Sequence, residues 1–351
     1  MHKFLAIMRN LSLLLALACV LFSCSGGRDR YVQISGYAQG GTYTVKINTK
    51  GVAVPAGTIR DSVDAILAGI DTTLSGYNKG SLLARFNAGE RVRPNSMFIE
   101  MYSMGYALWK RSKGALDFAA GPLFDAWGFG FKNSSFPEDD DISRLRSSCG
   151  MALLPAELPL KDGWLDPADL GSPRLNYNAV AQGYSCDMVA KYLYRIGIKD
   201  MLVDIGEIWC DGLNPSAKPW AVGIDRPDDR APDAGQPVAM ESVWSSEGKP
   251  CGMVTSGNYR KFYIRDGRKF AHTINPVTGY PVDHNLLSAS VVSSRSAAEA
   301  DAIATWCMVA GLDGARQILL DDSALEGCLT YEAEDGSMQQ WFSPGFSLRT
   351  Q

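Results

Sequence analysis

Long hydrophobic runs are almost missing from this chain of 351 residues. The exception is the stretch 11–22, which follows the basic residues Lys3 and Arg9 and is short for a span across a bilayer. A basic start followed by a short apolar stretch is typical of an export signal. We therefore assign residues 1–23 to a signal peptide, and no later run is apolar enough to predict a membrane-spanning helix.

The end of this signal carries a cysteine in a recognisable setting. Residues 21–24 read Leu-Phe-Ser-Cys, which resembles a bacterial lipobox, and the following residues to 30 form a polar, flexible tether. In such a sequence the cysteine, here Cys24, is lipidated, so we expect the exported protein to be anchored to an envelope membrane on its periplasmic side. Cleavage near Ser23 without lipidation is the alternative, and both interpretations predict export.

Positive charge is also scarce. The chain has 34 Lys and Arg against 38 Asp and Glu, a formal net charge of -4. The signal holds two basic residues and no acidic one, so its removal lowers the charge to about -6. The sequence contains no stripe or run of Lys and Arg, which excludes nucleic-acid binding by charge.

Cysteine-based metal motifs and dinucleotide loops are missing as well. Six cysteines follow Cys24, but none forms a C-x-x-C pair or has a histidine partner at zinc spacing. Cys186 and Cys307 lie in apolar patterns that predict buried thiols, and a disulfide stays open because the sequence cannot pair the cysteines. The glycine-rich segments match neither G-x-G-x-x-G nor G-x-x-x-x-G-K-[ST], which excludes Rossmann and Walker loops.

Strand and helix patterns are interspersed without regular alternation. Apolar spacing predicts strands at 31–47 (a pair broken at 39–41), 201–205, 220–224, 241–246 and 287–292, and helices at 58–74, 96–112, 184–196 and from Ser296 onward. Residues 133–162 are polar and predict a surface excursion with a short helix. Such an order favours an α+β fold over a doubly wound sheet, and no linker divides the exported part, 31–351, into two domains.

Asp301 and Thr305 form a distinctive pair in the last of these helices. Ser296 and Glu299 match a capping box, so Asp301 lies beyond the cap and is not needed to satisfy the helix end. Residues four apart share one helix face. A carboxylate and a hydroxyl arranged in this way suit Mg²⁺, which leaves positions for phosphate. A solvated Asp beside a core Thr is the alternative interpretation of the pair by itself.

Residues 115–130 contain glycines, aromatic side chains and Asp117. Glycines let backbone amides approach a ligand, and Trp127, Phe129 and Phe131 are able to pack on a planar ring. An apolar turn is the alternative interpretation of this segment.

Two polar segments offer backbone donors. Residues 176–187 place small residues and Gly183 at the start of a helix, where free amides favour phosphate. A left-handed turn that leads into a packed helix is the alternative. Residues 255–259, Thr-Ser-Gly-Asn-Tyr, predict a second, short polar turn.

His272 is one of two histidines in the exported part of the chain. The turn-forming residues at 275–281 predict that it lies on a rigid loop. An exposed structural histidine is the simpler interpretation, and a proton-transferring histidine is the other. His284 has no comparable context, and we predict that it lies on the surface.

Taken in chain order, these segments resemble the ApbE family of FAD:protein FMN transferases. The matching segments are 40–43, 77–87, 115–130, 182–187, 203–206, 255–259, 272–281 and 300–305. They occur in family order at family-like separations over nearly the whole exported chain. The resemblance implies an α+β architecture of mixed sheets packed with helices, in a single compact, two-lobed catalytic unit.

The resemblance also implies roles for individual residues. Asp301 and Thr305 match the family's side-chain ligands of Mg²⁺, and Ala179 matches the position that offers a backbone carbonyl. His272 matches the histidine linked to activity. The residues that match the FAD-lining positions are Gly40, Tyr77, Ala115, Leu116, Asp117, Asn176, Gln182 and Asn275.

Four features depart from the family pattern. Gln182 stands where a lysine or glutamate is common, Asn176 where an aspartate is usual, and Ala304 where an acidic residue is sometimes found. The strand 201–205 is followed by Gly206 and Glu207 instead of Gly-Gly-Glu, so the backbone there must follow another path. None of these departures removes a predicted metal ligand or the predicted active histidine.

The implied reaction transfers FMN from FAD to a threonine or serine hydroxyl of an envelope flavoprotein and releases AMP. A subunit of a redox pump is one candidate acceptor. Phosphoryl transfer requires charge neutralisation, here by Mg²⁺ at Asp301 and Thr305, while His272 would remove or steer the hydroxyl proton. The flavin would stack among Tyr77 and the aromatic residues after Asp117. Hydrolysis of FAD to FMN and AMP, and FAD binding without turnover, are the two alternatives.

Overall fold

The computed structural model describes residues 30–130, 137–225, 240–258, 262–265 and 268–348. The predicted signal and the tether up to residue 29, with Cys24, lie outside these residues, as do Phe131 and Tyr259. In the described part of the chain, no helix has the length and hydropathy needed to cross a bilayer.

One eight-stranded sheet organises the described chain. The strands, in chain order, are β1 (Tyr31–Ala38), β2 (Gly41–Asn48), β3 (Met201–Asp204), β4 (Ile208–Asp211), β5 (Ala221–Asp225), β6 (Met240–Ser245), β7 (Cys251–Gly257), β8 (Phe262–Arg265), β9 (Arg268–Ala271), β10 (Ile274–Asn275), β11 (Tyr280–Pro281), β12 (Leu286–Ser293), β13 (Leu325–Glu332) and β14 (Met338–Phe342). The spatial order of the large sheet is β1-β2-β3-β4-β7-β12-β13-β14. Each neighbouring pair in it is antiparallel, so it is more uniform than the mixed sheets that the resemblance implied.

Helices fill the intervals between these strands. They are α1 (Ala56–Leu74), α2 (Leu82–Asn87), α3 (Ser96–Arg111), α4 (Gly121–Ala126), α5 (Asp139–Ser148), α6 (Ala181–Arg195) and α7 (Ala297–Leu320), with short 3-10 turns at Met151–Leu153 and Pro167–Leu170. Strands and helices without βαβ alternation confirm the predicted α+β class. The polar excursion contains the predicted short helix, α5, although residues 133–136 lie outside the described part.

The large sheet has different partners on its two faces because side chains alternate along each strand. Val254 of β7 and Val291 of β12 pack with Ile303 of α7 on one face. Their neighbours Met253 and Val292 pack on the other face, in a cluster that includes tryptophans from the β5–β6 hairpin region. Both faces of this half of the sheet are therefore buried, which fixes α7 rigidly against it.

Helices α1 and α6 cover the other half of the sheet. Ile59, Val63 and Leu67 of α1 recur at helical spacing and are buried with Val45 of β2 and Val189 of α6. This spacing was visible in the sequence, which explains why the prediction of a helix at 58–74 is confirmed within two residues. At its other edge the sheet begins with the β1–β2 hairpin, confirmed as the predicted pair broken at 39–41.

The start of α7 is held by an ion-pair network. Arg111, at the end of α3, contacts Glu299 of α7 at 2.7 Å and Asp322, just beyond the end of α7, at 2.7 Å. Arg295 contacts the same two carboxylates at 2.6 Å and 2.5 Å. Two arginines and two carboxylates therefore join α3 to both ends of α7.

The backbone of α7 is interrupted late in its course. Gly311 has φ 73° and ψ -178°, which breaks the helix and leaves nearby carbonyls without their usual amide partners. His284 supplies one replacement, because its Nε2 lies 2.8 Å from the Met308 carbonyl and must carry the proton to donate. His284 is partly buried here, so it is less exposed than its predicted surface position implied.

Candidate active site

The first turn of α6 presses directly on the first turn of α7. Gly183 allows this contact: any larger residue would place a Cβ atom 2.3 Å from the Ala297 carbonyl oxygen. Gly183 lies inside α6, which begins at Ala181, so the alternative of a left-handed turn at this glycine is wrong. The predicted helix start at Tyr184 is three residues late, since α6 already begins at Ala181. Because glycine has no Cβ atom, Gly183 permits this close approach of the two backbones.

Asp301 lies at this contact. Its Oδ2 accepts a hydrogen bond of 3.2 Å from the Gly183 amide, and the residue is 6% exposed. Burial raises the pKa of Asp301, and the negative charge of Asp187 raises it further. Thr305 lies one turn along the same regular helix and is partly exposed. The predicted common face of the two residues is therefore consistent with the observed helix.

Asp187 of α6 satisfies the amides at the start of α7. Its two carboxylate oxygens accept hydrogen bonds from Ala297 at 2.7 Å and Ala298 at 2.9 Å. Burial raises the pKa of Asp187 to about 6, although these hydrogen bonds oppose the shift. Sequence reasoning did not assign this residue a role. The available signal was an acidic residue within the apolar pattern of α6.

At the start of α7, one of the two hydrogen bonds of the predicted capping box is formed. Ser296 Oγ accepts a 3.0 Å hydrogen bond from the Glu299 amide, as predicted. The Glu299 carboxylate does not reciprocate, because it binds Arg295, Arg111 and Ser293 instead. Asp301 therefore lies beyond a cap that is already satisfied.

The predicted metal ligands offer oxygen atoms of three kinds. The hydrogen-bond ladder of α6 begins with the Val180 carbonyl, which accepts from Tyr184 at 2.9 Å, so the Ala179 carbonyl lies just outside the ladder. Ala179 packs against the apolar cluster that contains Ala298 and Ala302 of α7. A carboxylate, a hydroxyl and a carbonyl are ligands that Mg²⁺ prefers.

The charge at this place also fits a cation. Asp301 and Asp187 bring two carboxylates into one buried region, where uncompensated negative charge is costly. Within the described residues no three or more His, Cys, Asp or Glu side chains form a metal-binding group. Of these residue types, the predicted donor set contains a single aspartate and no cysteine or histidine. It is therefore suited to Mg²⁺ and not to a metal that prefers cysteine or histidine ligands.

The β1–β2 hairpin reaches the same helical turn. Gln39 and Gly40 have φ values of 53° and 81°, the positive pair of a two-residue hairpin turn. The Gln39 side chain donates to Ser185 Oγ of α6. A Cβ at Gly40 would have no neighbour within 4 Å, so this predicted FAD-lining position is open to a ligand.

Tyr77 approaches from the loop after α1. Its side chain is 71% exposed, and its hydroxyl is 3.4 Å from the Asn178 side-chain amide. Asn176 lies two residues before Asn178 and is buried. Its side-chain oxygen accepts a hydrogen bond from the Asn178 backbone amide at 3.0 Å. The exposed ring of Tyr77 is thereby tethered beside the start of α6 and presents a face for stacking.

Asp117 fastens the loop that precedes α4. Its carboxylate accepts amides from Ala119 at 2.9 Å and from Met151 at 2.9 Å and 3.1 Å. Burial raises its pKa, and these hydrogen bonds oppose the shift. The neighbouring Phe118 carbonyl accepts from the Asn176 amide at 2.8 Å. Residues 115–117 are therefore joined to the segment that leads into α6, with Leu116 buried beneath it.

The segment that carries His272 packs on residues 127–129. Trp127 is 6% exposed, donates from Nε1 to the Gly279 carbonyl at 2.8 Å and packs on Tyr280, with the ring centroids 5.9 Å apart. Trp127 is therefore not open to a planar ligand. Phe129 meets the His272 ring edge-on at 6.3 Å, so His272 is partly buried and not an exposed surface histidine.

The turn after His272 is closed by hydrogen bonds, as its turn-forming residues indicated. Asn275 Oδ1 accepts the Val277 amide at 2.9 Å, and the Asn275 carbonyl accepts the Gly279 amide at 2.7 Å. Thr273 donates to Asn258 at 2.6 Å, which connects this turn to the end of β7. Asn258 follows strand residues, so the predicted polar turn at 255–259 is wrong for its first three residues.

Gln182 contacts Gly206, where the sequence departs from the family pattern. Gly206 has φ 87°, and a Cβ there would lie 2.5 Å from Gln182 Nε2. Residues 205–207 connect β3 to β4, where Asp204 pairs with Ile208. The short Gly-Glu sequence is therefore accommodated in a tight hairpin whose backbone packs against the Gln182 amide.

Comparisons with known proteins agree with this architecture. A model of the ApbE family matches residues 39–329. The chain is 31% identical over 311 residues to the FAD:protein FMN transferase of Vibrio cholerae, covering 87% of this chain and 88% of the relative. It is 30% identical over 294 residues to the enzyme of that name from Escherichia coli K12, covering 82% and 80%. The chain belongs to the ApbE family, which confirms the resemblance and the α+β fold.

A solved structure gives the same result. The apo flavinyl transferase ApbE of Pseudomonas stutzeri superposes with a TM-score of 0.76 at 29% identity. The superposition covers 90% of this chain and 95% of that protein. The shared fold therefore extends over nearly all of the sheet and the helices described above.

Proposed function

We propose that this chain is an FAD:protein FMN transferase that moves FMN from FAD to a threonine or serine hydroxyl of a partner protein and releases AMP. The observation that carries the proposal is the contact between the starts of α6 and α7, where the Gly183 amide binds Asp301. Three predicted FAD-lining segments, around residues 40, 77 and 117, contact the start of α6 or the residues just before it. The names of the relatives in the family support the same activity.

The donor FAD would be bound by the segments around the start of α6. Tyr77 offers an exposed aromatic face for the flavin ring. The open turn at Gly40 leaves room beside that helix, and Asn176 and Gln182 contribute amide groups that can hydrogen-bond without adding charge. Asn275 would complete the site from the turn that follows His272.

Asp301, Thr305 and the Ala179 carbonyl would hold Mg²⁺. When bound, the ion supplies neutralisation of the phosphate charge that develops during phosphoryl transfer. Asp187 supports the site by fixing the first amides of α7, which keeps Asp301 and Thr305 in their helical positions. Gly183 supports it by orienting one oxygen of Asp301.

His272 would accept or steer the proton of the acceptor hydroxyl. A neutral imidazole is able to accept this proton as a general base. Phe129 and the turn at Asn275 limit the movement of this histidine, and a fixed base is more effective than a mobile one. The acceptor hydroxyl would enter from the solvent side of this turn.

We also propose that the protein acts outside the cytoplasm, held at an envelope membrane by a lipid on Cys24. The sequence at 21–24, which resembles a lipobox, supports this location. The acceptor would be an envelope flavoprotein, and a redox-pump subunit is one candidate.

One incubation separates transfer from its two alternatives. A soluble form that begins at Arg28 is mixed with FAD, Mg²⁺ and a candidate acceptor. Covalent flavin on the acceptor, detected by in-gel fluorescence and mass spectrometry, supports transfer. Free FMN and AMP without labelled acceptor would support hydrolysis, and unchanged FAD that co-purifies with the protein would support binding alone.

A further inference from the structure

The chain leaves the large sheet at the end of β4 and returns to it at the start of β7, and these two strands pair directly with each other; we call the intervening residues the 212–250 excursion. β4 ends at Asp211, and β7 begins at Cys251. The antiparallel register places Cys210 directly opposite Cys251. We call the paired ends of β4 and β7 the neck of the 212–250 excursion. The two cysteines lie at this neck.

The two thiols are close and share one side of the sheet. Their Sγ atoms are 3.9 Å apart, and the residues are 0% and 5% exposed. Opposite residues in antiparallel strands have Cα atoms about 4.5 to 5.5 Å apart, which lies within the range of about 4.4 to 6.8 Å that a disulfide bond spans. Oxidation would therefore require little movement of the backbone.

The surroundings favour a bond between thiols over other cysteine chemistry. The pair lies in an apolar cluster with Trp220, Trp244 and Phe346. Across the described residues, no group of His, Cys, Asp and Glu side chains is arranged to hold a metal. The adjacent Cys210 thiol and burial together hold the pKa of Cys251 well above its usual value, so it is a protonated thiol at neutral pH.

We propose that Cys210 and Cys251 are a disulfide-forming pair that closes the neck of the 212–250 excursion. Both S–H bonds break and one S–S bond forms, while an incoming protein or small-molecule disulfide is reduced to two thiols that take up the protons and electrons. Because buried protonated thiols react slowly, the exchange takes place during folding or when the ends of β4 and β7 open.

The disulfide bond would also restrain β7, which contacts the start of α7. Gly252, next to Cys251, packs against the start of α7, where a Cβ would lie 2.4 Å from the Ala297 Cα. The same strand ends near Asn258, which binds Thr273 beside His272. A disulfide at the neck would therefore hold β7 at the end nearest to Asp301, and this consequence does not depend on the proposed transferase activity.

The first test is to map the thiols of the full-length protein. One sample is unfolded with reductant and refolded in a mixture of reduced and oxidised glutathione. A second, folded sample is incubated with oxidised glutathione until its thiol pattern is constant. Both are quenched with acid, alkylated under denaturing conditions, digested and analysed by mass spectrometry.

We expect a linked peptide pair containing Cys210 and Cys251 that lacks two hydrogen atoms, with Cys186 and Cys307 alkylated. Full alkylation of Cys210 and Cys251 in both samples would overturn the proposal. A link from either of them to Cys328, which lies in the same apolar cluster, would overturn it as well.

The second test uses thermal unfolding with matched variants. We expect the oxidised wild-type protein to lose roughly 5 °C in Tm on reduction, because the bond closes a loop of about 40 residues in the unfolded chain. Cys251→Ala should show no such difference, whereas Cys307→Ala, which removes another buried thiol, should retain it. A reduction-sensitive Tm in Cys251→Ala would contradict the pairing.

Discussion

At the scale of single residues, Asp301 combines two roles that can be separated by substitution. The carboxylate accepts the Gly183 amide, and under the proposed function it also binds Mg²⁺. An amide at this position keeps a carbonyl oxygen for Gly183 but removes the negative charge. The pair Asp301→Asn and Asp301→Ala therefore distinguishes the charge from the hydrogen bond.

We expect both variants to lose Mg²⁺-dependent turnover of FAD by roughly 100-fold or more, because a metal ligand is removed. Asp301→Asn should melt at or above the wild-type temperature, since a buried charge is no longer desolvated. Turnover assays and thermal melts measure the two effects. Wild-type turnover in Asp301→Asn would remove the metal assignment.

The two described histidines provide a second comparison between function and structure. His272→Ala should bind FAD with unchanged affinity but label the acceptor about 100-fold more slowly, because the proton acceptor is lost. His284→Ala should keep its labelling rate and melt at a lower temperature, because the Met308 carbonyl loses its donor. Full labelling by His272→Ala would leave this histidine a structural role only.

At the scale of secondary-structure elements, the contact between α6 and α7 depends on one missing side chain. Gly183→Ala would place a Cβ 2.3 Å from the Ala297 carbonyl, so the helices must separate. We expect a loss of about 1 to 3 kcal/mol in the free energy of unfolding. Chemical denaturation monitored by circular dichroism measures this change.

Gly69→Ala is the matched control, because Gly69 lies in α1 and a Cβ there has no neighbour within 4 Å. This substitution should stabilise the protein by up to about 1 kcal/mol, owing to the higher helix propensity of alanine. Equal effects of the two substitutions would show that the close approach does not limit packing.

The ion-pair network at the ends of α7 predicts a dependence of stability on pH. The hydrogen bond from Arg295 lowers the pKa of Asp322 from its ordinary 3.8 to about 2. Burial would raise the pKa of Glu299, but hydrogen bonds from Arg295, Ser293 and Arg111 bring it below its usual value. Depressed carboxylate pKa values stabilise the fold above the unfolded-state pKa.

The contribution of Asp322 is therefore complete above about pH 4 and is lost as the pH falls toward 2. Asp322→Asn should melt below the wild type at neutral pH, and the difference should shrink in acid. Thermal melts of both proteins between neutral pH and pH 3 measure it. A difference that is constant over this range would argue against the network.

Elements with a strong period were predictable from sequence, whereas their ends and contacts were not. The apolar spacing of Ile59, Val63 and Leu67 indicated α1 because one helix face is buried. The start of α6 was misplaced because Gly183 resembles a turn residue until its contact with Ala297 is known. His284 gave no local signal, since its partner is a carbonyl 24 residues away.

At the scale of the whole molecule, the candidate residues were predictable but their convergence was not. Asp301, Thr305 and His272 stood out in the sequence as candidates, and the family resemblance assigned their roles and those of the remaining positions, which stay predictions. Sequence does not specify that β7 pairs with β4, or that residues 39, 77 and 118 reach the start of α6. These facts depend on the pairing of distant strands, for which local periodicity contains no information.

The proposed anchor gives the prediction at this scale. Cys24→Ser should remove lipidation and release the protein from membranes, because a single serine cannot take up the lipid on sulfur. Metabolic labelling with palmitate and fractionation of cells measure the change. Turnover of FAD by the released protein should equal that of the wild type, since the described fold begins at Arg30. Membrane retention of the variant would contradict lipid anchoring through this residue.

The direct pairing of β4 with β7 has a consequence for how such proteins diversify. The 212–250 excursion leaves the sheet at the end of one strand and returns at the strand that is paired with it. It can become longer or shorter, or be replaced, without changing the order of the strands. The entropy needed to close a longer stretch rises only slowly with its length. Natural variation in length can therefore accumulate between residues 212 and 250 while the remainder of the sheet keeps its register.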